Sequence, residues 1–318
     1  MSRKLISNES VLLDVRRMTV AEGRGKGTDL FRVTNSAGLD FDVIVDRAMA
    51  IGQLRADGQL ISYTSETGIV HPAYYEKDGF SWLRSFGGGF LATCGLSQVG
   101  EPCDGHGLHG RIDNIPAEQV SWKRWWDGDV LWAEVRGVMY EVSHQGEYLS
   151  LHRTIRVCHN QKKLWVEDTV QNLGNRTQPF MLLYHVNFGA PFLQPGAKVT
   201  LPENSIQYFD EAAGSHIACC ETVPEIGDAL DLLWLHHTSQ SGLQTAKIES
   251  GGRIVTMTYT GDTLPTLGQW ELVQERAFVL ALEPTNTHLQ GQDWEHKNGT
   301  LQYLAPDETV TTKLAFAF

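Results

Sequence analysis

The sequence is poor in cysteine and has no long hydrophobic run. Only five cysteines occur in 318 residues, and no two of them form a Cys-x-x-Cys pair, which argues against both a disulfide framework and a thiolate zinc site. No segment approaches the roughly 18 consecutive apolar residues that cross a bilayer. Charged and polar residues interrupt the N-terminal segment, which excludes a signal-peptide core there. We therefore expect a cytoplasmic protein with reduced thiols.

Positive charge is also in short supply. Lysine and arginine number 26 against 38 aspartates and glutamates, a formal net charge of −12. This excess of negative charge repels phosphate backbones and anionic lipid, so we expect neither a nucleic acid nor a membrane as partner. The charge favours a small-molecule partner. A homodimer stays open, because an exposed edge strand can pair two copies of a chain.

The readable hydrophobic pattern has a period of two. Residues 147–158 and 163–172 alternate apolar and polar side chains, and residues 179–189 are almost continuously apolar, which is typical of a strand covered on both faces. Residues 30–47 predict a hairpin that turns at Ser36–Gly38, and further strands follow at 277–286 and 300–318. Helical periodicity over ten or more residues is hard to find. We predict an all-β fold of mostly antiparallel strands in a single domain, residues 1–318.

Several familiar motifs fail on spacing or context. The segment GRGKGT at 23–28 lacks the P-loop spacing and precedes strands, and GLSQVG at 95–100 does not fit a nucleophile elbow. The segment EPCDGHGLHGR at 101–111 brings together Glu101, Asp104, His106 and His109, residue types that bind divalent metals. A glycine follows each histidine, which favours a loop, and we predict no metal and no cofactor.

Three segments place ionisable groups beside apolar strands: GLHGR at 107–111, LLYHVNFG at 182–189 and LALEPTN at 280–286. Burial changes the pKa of an ionisable side chain, and groups perturbed in this way concentrate at functional sites. His185 and Glu283 are therefore candidate functional residues.

Together and in this order, the three segments resemble those of the aldose 1-epimerase (galactose mutarotase-like) family. The matching residues are Leu108-His109-Gly110, His185 with Asn187-Phe188, and Glu283-Pro284. The resemblance covers most of the chain, and its specificity comes from the trio because each motif is short. It implies a galactose mutarotase-like β-supersandwich, a sugar substrate and no cofactor.

The resemblance also implies roles for individual residues. The family's catalytic base falls on Glu283, its catalytic acid on His185, and a second sugar-contacting histidine on His109. Opening a cyclic hemiacetal requires removal of a proton from the anomeric hydroxyl and delivery of one to the ring oxygen, so a carboxylate and an imidazole are suited to the task.

The chain also departs from the family pattern. The family's Gly-Arg-x-x-Asn-Arg stretch is absent, and Arg84 is our candidate for the sugar-contacting arginine. Arg111 follows Gly110 and could recognise an acidic sugar. The aspartate that binds sugar hydroxyls in the family is left open between Asp228, Asp231 and Asp262. The remaining candidate substrate contacts are Arg47, His106, Asn187 and Trp270.

These observations predict a divergent member of that family, an isomerase that interconverts the α and β anomers of an aldose or an acidic aldose derivative. Two alternatives stay open. One is a non-catalytic carbohydrate-binding protein of the same fold. The other is a metal-dependent sugar isomerase that uses Glu101, His106 and His109.

Overall fold

The computed structural model describes residues 3–103, 105–238 and 241–318. Strands dominate this part of the chain, and its helices are short. The strands are β1 (Leu13–Thr19), β2 (Asp29–Asn35), β3 (Leu39–Ile44), β4 (Ala50–Ala56), β5 (Gln59–Leu60), β6 (Tyr63–Thr64), β7 (Gly88–Gly89), β8 (Leu91–Leu96), β9 (Glu118–Asp127), β10 (Val130–Val142), β11 (Tyr148–Cys158), β12 (Lys163–Asn172), β13 (Gln178–Gly189), β14 (Lys198–Thr200), β15 (Asn204–Tyr208), β16 (Leu230–Thr238), β17 (Leu243–Ser250), β18 (Arg253–Thr260), β19 (Thr266–Gln274), β20 (Ala277–Thr285), β21 (Gln302–Leu304) and β22 (Thr309–Ala317).

Two α-helices and seven 3₁₀-helices connect the strands in the described residues. The α-helices are α1 (Glu211–Ser215) and α2 (Gln292–Lys297), and the 3₁₀-helices are Arg3–Leu5, Glu9–Val11, Gly23–Gly25, Pro72–Tyr74, Ser81–Arg84, Ile112–Asn114 and Ile217–Cys220. No helix among the described residues has the length and apolar character needed to cross a membrane.

The strands form two large antiparallel sheets and one small one. The first sheet has the order β1-β2-β3-β4-β8-β13-β20-β19-β16-β15, with β5 beside β4 and β21 beside β13. The second sheet has the order β14-β17-β18-β22-β12-β11-β10-β9, and β6 pairs with β7. Short connections of the kind predicted from the sequence favour antiparallel neighbours. The predicted all-β, antiparallel architecture is confirmed, while the single-domain assignment stays a prediction.

The sequence pattern of the second sheet matches its burial. Leu149, Leu151 and Ile155 of β11 are buried against the first sheet, as the alternation predicted. The predicted hairpin is also present between β2 and β3. Its turn is closed by Asn35, whose Oδ1 accepts hydrogen bonds from the amides of Ala37 and Leu39 at 3.1 and 2.9 Å.

The first sheet is covered on both faces. Along β13, Leu182 and Tyr184 lie in the main apolar core between the two sheets, whereas Met181 and Leu183 belong to a second apolar cluster on the opposite face. Successive side chains of a strand point to opposite faces, so His185 lies on the face away from the main core. We call this the outward face of the first sheet.

A buried ion pair within the second sheet is hydrogen-bonded to side chains of the first sheet. Arg153 of β11 lies among apolar residues and contacts Asp168 of β12, with Nη2 to Oδ2 at 2.5 Å. From the first sheet, the hydroxyl of Tyr184 donates to Asp168 at 2.8 Å, and Thr93 accepts from Arg153 at 2.8 Å. Such a pair tolerates burial only when its hydrogen bonds are satisfied. We call these four residues the Arg153 cluster.

Candidate active site

A cleft of about 420 Å³ opens on the outward face of the first sheet. Strands β13, β16, β19 and β20 contribute to it, together with the segments around Trp82, Gly100 and Leu289. The residues that line it are Phe80, Trp82, Leu83, Phe86, Gly100, Glu101, Leu108, His109, His185, Phe209, Asp210, Asp231, Leu233, Trp270, Glu283 and Leu289.

His185 and Glu283 lie on neighbouring strands within this cleft. The register of β13 and β20 pairs Leu183 with Thr285 and Val186 with Leu282, which places His185 opposite Glu283. Their side chains meet with 3.1 Å between Nε2 and Oε1. Both are almost completely buried, with 4% and 2% of the residue exposed. The sheet itself therefore fixes the distance between the two groups.

A glycine leaves room for the carboxylate. Gly268 of β19 pairs with Glu283 of β20, and a Cβ atom at position 268 would lie 3.0 Å from Oε2 and 3.2 Å from the Cβ of Glu283. The side chain of Leu289 would lie 3.3 Å from the same point. The absence of a side chain at this position lets the carboxylate occupy its place beside His185.

Aromatic rings surround the imidazole of His185. The ring centroid of Phe86 lies 5.1 Å from that of His185, and the ring of Trp270 lies edge-on at 5.6 Å. Trp82 stacks on Phe86 at 4.7 Å. These rings remove water from the site and provide flat apolar surfaces of the kind that pack against the C–H face of a sugar.

His109 reaches the cleft from a loop. Its backbone has φ +59°, and its Nδ1 accepts a hydrogen bond from the amide of Gly100 at 3.3 Å. A neutral imidazole that accepts at Nδ1 carries its proton on Nε2. The ring lies 5.9 Å from that of His185 and 4.9 Å from that of Trp82. His109 is therefore held as a neutral hydrogen-bond donor beside the pair.

The buried carboxylate of Glu141 supports this loop. It accepts hydrogen bonds from the amide of Leu96, at 2.6 Å, and from the hydroxyl of Ser97. Gly95, the residue before Leu96, donates a hydrogen bond from its amide to the carbonyl of His109 at 3.1 Å. Glu141 thus holds the strand end to which the His109 loop is bonded.

Burial shifts the pKa values of the three site groups toward their neutral forms. It raises the pKa of Glu283 to about 8 and lowers the pKa of His109 to about 4. It also lowers the pKa of His185 to about 3, with a further contribution from the neighbouring His109. At neutral pH the ligand-free pair of His185 and Glu283 consequently holds one proton, which burial places on the carboxyl group.

Carboxylates line the outer part of the cleft. Asp231 accepts a hydrogen bond from Nε1 of Trp270 at 2.7 Å, and Asp210 caps α1 by accepting from the amide of Ala213 at 2.8 Å. Glu101 also lines the cleft. No lysine or arginine is among the described residues that line it. The cleft therefore offers hydrogen-bond acceptors rather than an anion-binding cation.

The comparison with protein families gives a match over most of the chain. Residues 25–318 match the family described as a domain of unknown function, DUF4432. The chain belongs to the DUF4432 family. A comparison with curated protein sequences finds no match.

Solved structures similar to this DUF4432 chain share its fold. A Klebsiella pneumoniae protein named "putative aldose 1-epimerase" has a TM-score of 0.90 and 21% identity over 96% of this chain and 83% of its own. The galactose 1-epimerase of Lactobacillus acidophilus has a TM-score of 0.63 and 13% identity over 96% and 98%. A galactose mutarotase-like protein of Clostridium acetobutylicum has a TM-score of 0.62 and 14% identity over 96% of this chain and 98% of its own. The predicted galactose mutarotase-like fold is confirmed.

Four of the predicted catalytic and substrate-contact residues meet in the cleft of this DUF4432 protein: His109, His185, Trp270 and Glu283. Glu101, a candidate metal ligand in the sequence, also lines it. Of the three rival aspartates, Asp231 lines the cleft, whereas Asp262 accepts from the amide of Gly242 at 3.0 Å elsewhere. Asp228 is exposed in the loop before β16. The structure therefore selects Asp231 as the candidate contact for sugar hydroxyls.

Arg47, a predicted substrate contact, lies away from this cleft. Its guanidinium is buried and pairs with Asp113, and it also donates to the carbonyls of Val70 and Ser85 at 3.1 and 2.8 Å. All of these contacts are within the protein, and Arg47 does not line the active-site cleft. These bonds connect three segments of the chain, and they give no support to a substrate contact in this cleft.

The other predicted contacts also lie outside the lining of the cleft. Arg84 is largely exposed, 3.5 Å from Glu76, and Nη2 of Arg111 lies 3.5 Å from the carbonyl of Gly105. His106 forms a tight turn with Cys103, and buried Asn187 donates to the carbonyl of His185 at 3.1 Å. Their placement gives no support to a direct substrate contact, and Asn187 is a neighbour of His185 within β13.

The described residues give no support to the predicted metal alternative. Among residues 3–103, 105–238 and 241–318, no group of three His, Cys, Asp or Glu side chains converges to hold an ion. Asp104, part of the candidate cluster, lies outside the described residues.

Sequence reasoning missed Phe86, Asp210 and Leu289, which also line the cleft. Short sequence motifs give no signal for such residues, because they enter the cleft from segments distant in the chain.

Proposed function

We propose that this protein is an aldose 1-epimerase-type isomerase that interconverts the α and β anomers of a neutral aldose. The observation that carries the proposal is the contact between His185 and Glu283, 3.1 Å apart in an aromatic-lined cleft. A carboxyl group and an imidazole side by side are the two groups that hemiacetal opening requires. The similar structures support the fold, and the chemistry rests on this pair.

In the proposed reaction, the sugar lies over the two groups so that its anomeric carbon faces both. Glu283 takes the proton of the anomeric hydroxyl while His185 gives a proton to the ring oxygen. The bond between C1 and the ring oxygen breaks, its electron pair stays on that oxygen, and C1 becomes a carbonyl carbon. After rotation about C1–C2, the hydroxyl adds to the other face of the carbonyl, and both protons return to their starting groups.

The proton count of the pair matches this scheme. One proton is needed for the ring oxygen and one vacant site for the anomeric proton, so the pair must hold one proton in total. Burial provides this state at neutral pH, although it places the proton on Glu283 in the ligand-free site. Transfer to His185 crosses a single hydrogen bond of 3.1 Å. Polar sugar hydroxyls that enter the dry cleft favour the charged form of the pair and promote this transfer.

The cleft favours a neutral substrate over an acidic one. Glu101, Asp210 and Asp231 line its outer part, and none of the described lining residues carries a fixed positive charge. A carboxylate or phosphate on the sugar would meet carboxylates of the same sign. Sugar hydroxyls, in contrast, donate well to these acceptors. The acidic substrate that the sequence suggested through Arg84 and Arg111 is thus not part of the proposal.

Saturation-transfer NMR tests the proposal directly. We expect the protein to accelerate exchange between the α- and β-anomer signals of at least one neutral aldose, with glucose, galactose, mannose and xylose as the first panel. The variants Glu283→Gln and His185→Asn should abolish the acceleration, and Glu271→Gln is the control because Glu271 lies outside the cleft. Sugar binding without any exchange would overturn the catalytic proposal in favour of a binding protein.

A further inference from the structure

Carboxylates of the active-site cleft lie on one side of His185. Its strand, β13, lies between β8 and β20 in the first sheet, and β19, β16 and β15 follow beyond β20. Glu283 and Asp231 belong to β20 and β16, and Asp210 follows the end of β15. On this side of the imidazole, a sugar hydroxyl finds charged acceptors for its proton.

The opposite side of the cleft is apolar. Phe86 lines a neighbouring cavity of about 330 Å³ together with Ala92 of β8, which places it on the β8 side. Trp82 stacks on Phe86 with 4.7 Å between the ring centroids. Phe80 and Leu83 continue this side to the cleft mouth, with 57% and 52% of their surfaces exposed. We call Phe80, Trp82, Leu83 and Phe86 the apolar wall.

The apolar wall offers a hydroxyl group no side-chain acceptor among the described residues. No serine, threonine, asparagine, glutamine, lysine or arginine is among the described residues that line the cleft. His109, whose ring lies 4.9 Å from that of Trp82, presents a donor at Nε2. The remaining lining carboxylate, Glu101, is bonded through its amide to the carbonyl of Leu289 at 3.0 Å, and the Leu289 side chain lies beside position 268 of β19. A hydroxyl placed against the wall would lose water without gaining an acceptor, which is unfavourable.

The covalent structure of a pyranose determines which of its groups meets the wall. The ring oxygen is bonded to C1 and to C5, so these two carbons lie on opposite sides of it. In the proposed reaction the ring oxygen lies at His185 and the anomeric hydroxyl at Glu283, which turns C1 toward β20. C5 and its substituent then point the other way, toward the apolar wall, while the hydroxyls at C2 and C3 face the carboxylates.

We propose that the substrate is a 6-deoxyhexose, in which C5 carries a methyl group instead of CH₂OH. This inference rests on the proposed function, because that function fixes the orientation of the ring. The methyl group packs against the apolar wall, and the ring hydroxyls donate to the carboxylates across the cleft. A CH₂OH group would place a hydroxyl against the wall, and a pentose would leave the wall uncovered. The wall thus discriminates at C5 rather than at the reacting carbon.

Sugars that differ only at C5 test this inference. Each set contains a 6-deoxyhexose, its parent hexose and the pentose of the same ring configuration: 6-deoxy-D-glucose with D-glucose and D-xylose, 6-deoxy-D-galactose with D-galactose and L-arabinose, and 6-deoxy-L-mannose with L-mannose and L-lyxose. Saturation-transfer NMR gives kcat/KM for anomer exchange of each sugar. In the configuration exchanged fastest, we expect the methyl sugar to exceed its parent hexose by about tenfold or more. It should exceed the pentose by about fourfold, the value of one buried methyl group.

Leu83→Asn adds a polar side chain to the wall. The amide offers the C6 hydroxyl a partner, so the ratio of kcat/KM between the methyl sugar and its parent hexose should fall several-fold. A merely structural effect would lower both rates and leave the ratio unchanged. Phe80→Asn provides the same test if Leu83→Asn fails to fold. Leu243→Asn is the matched control, because Leu243 is an exposed leucine outside this cleft, and it should keep the wild-type ratio.

The outcomes separate the substrate class from the isomerase activity. Exchange in which the parent hexose or the pentose equals or exceeds the methyl sugar overturns the inference and leaves the proposed function standing. A ratio that is unchanged in both wall variants also overturns the inference. If no sugar is exchanged, Kd values from calorimetry on the same sets decide, since a methyl preference in binding supports the inference while the catalytic proposal fails. Absence of both exchange and binding overturns the two together.

Discussion

Nε2 of His185 and Oε1 of Glu283 lie 3.1 Å apart across two adjacent antiparallel strands. This contact joins two groups that burial shifts in opposite directions, since it lowers the pKa of the histidine and raises that of the carboxyl. Each group alone therefore prefers to be neutral. As a unit, they hold one proton over a wide pH range, which is the property that acid/base exchange between two oxygen atoms requires.

This proton count predicts an unusual pH dependence. The pair gains its second proton only near the lowered pKa of His185, about 3, and loses its last proton near the raised pKa of Glu283, about 8. We expect kcat/KM for anomer exchange to be nearly flat from about pH 5 to 7 and to fall above pH 8, because no proton is then available for the ring oxygen. A profile that falls on the acid side with a midpoint near 6.5 would show an unperturbed histidine and contradict the scheme.

Glu283→Gln should lower the activity and raise the stability of the protein. Loss of the base should reduce the exchange rate by about 10²- to 10⁴-fold. The folded protein holds the proton of Glu283 up to about pH 8, whereas the unfolded chain releases it near 4.5. Wild-type stability therefore decreases as the pH rises between these values, on the order of 1 kcal/mol per pH unit for this group. The amide removes that slope, so the variant should gain stability relative to the wild type from pH 5 to 8.

Chemical denaturation at several pH values measures this difference. Glu271→Gln is the matched variant, because burial also raises the pKa of Glu271 to about 8. It should show the same gain of stability with pH while it retains anomer exchange. Equal pH slopes for the wild type and Glu283→Gln would refute the assignment of the raised pKa to Glu283.

Gly268→Ala should disturb the pair without changing either member. The added Cβ would lie 3.0 Å from the Glu283 carboxylate, so the carboxylate must move by a few tenths of an ångström or more. Misplacement of a catalytic group on this scale lowers kcat, by up to about 100-fold for 1 Å. Gly227→Ala is the control, since nothing lies within 4 Å of its new Cβ. Similar kcat values for the two variants would argue against a tight fit around Glu283.

Asp231→Asn tests the outer part of the cleft. Asp231 accepts the Trp270 indole hydrogen bond at 2.7 Å and lines the cleft. The amide keeps the shape but loses the charge that strengthens bonds from sugar hydroxyls. We expect KM to rise several-fold with a smaller change in kcat, as measured by progressive saturation of the exchange rate. A drop in kcat alone would instead place Asp231 with the reacting groups.

Arg84→Ala and Arg111→Ala address the question of an acidic substrate. Neither arginine lines the cleft, so both variants should exchange a neutral aldose at rates within about twofold of the wild type. Glucuronate, compared with glucose under the same conditions, should be the poorer substrate because the cleft carries carboxylates. A preference for glucuronate that disappears in Arg111→Ala would restore the interpretation based on the sequence.

The sequence predicted the strands well for a physical reason. Alternation in β11 records which side chains are buried, and His185 and Glu283 stand out because ionisable groups are rare within apolar strands. The location of the arginine side chains was harder to predict from the sequence. The partner of Arg47 is Asp113, 66 residues away, and no local pattern distinguishes such a buried arginine from one in a binding site. Phe86 and Asp210 line the cleft because the fold brings their distant segments together, and no sequence motif marks them.

Tyr184 and His185 are consecutive residues that point to opposite faces of one strand. The hydroxyl of Tyr184 bonds to Asp168 of the Arg153 cluster, so the same peptide segment is attached to the second sheet on one side and carries the imidazole on the other. A change in the spacing of the sheets would therefore rotate or shift the imidazole relative to Glu283. The geometry of the His185–Glu283 pair is in this sense set by a contact between the sheets that lies outside the cleft.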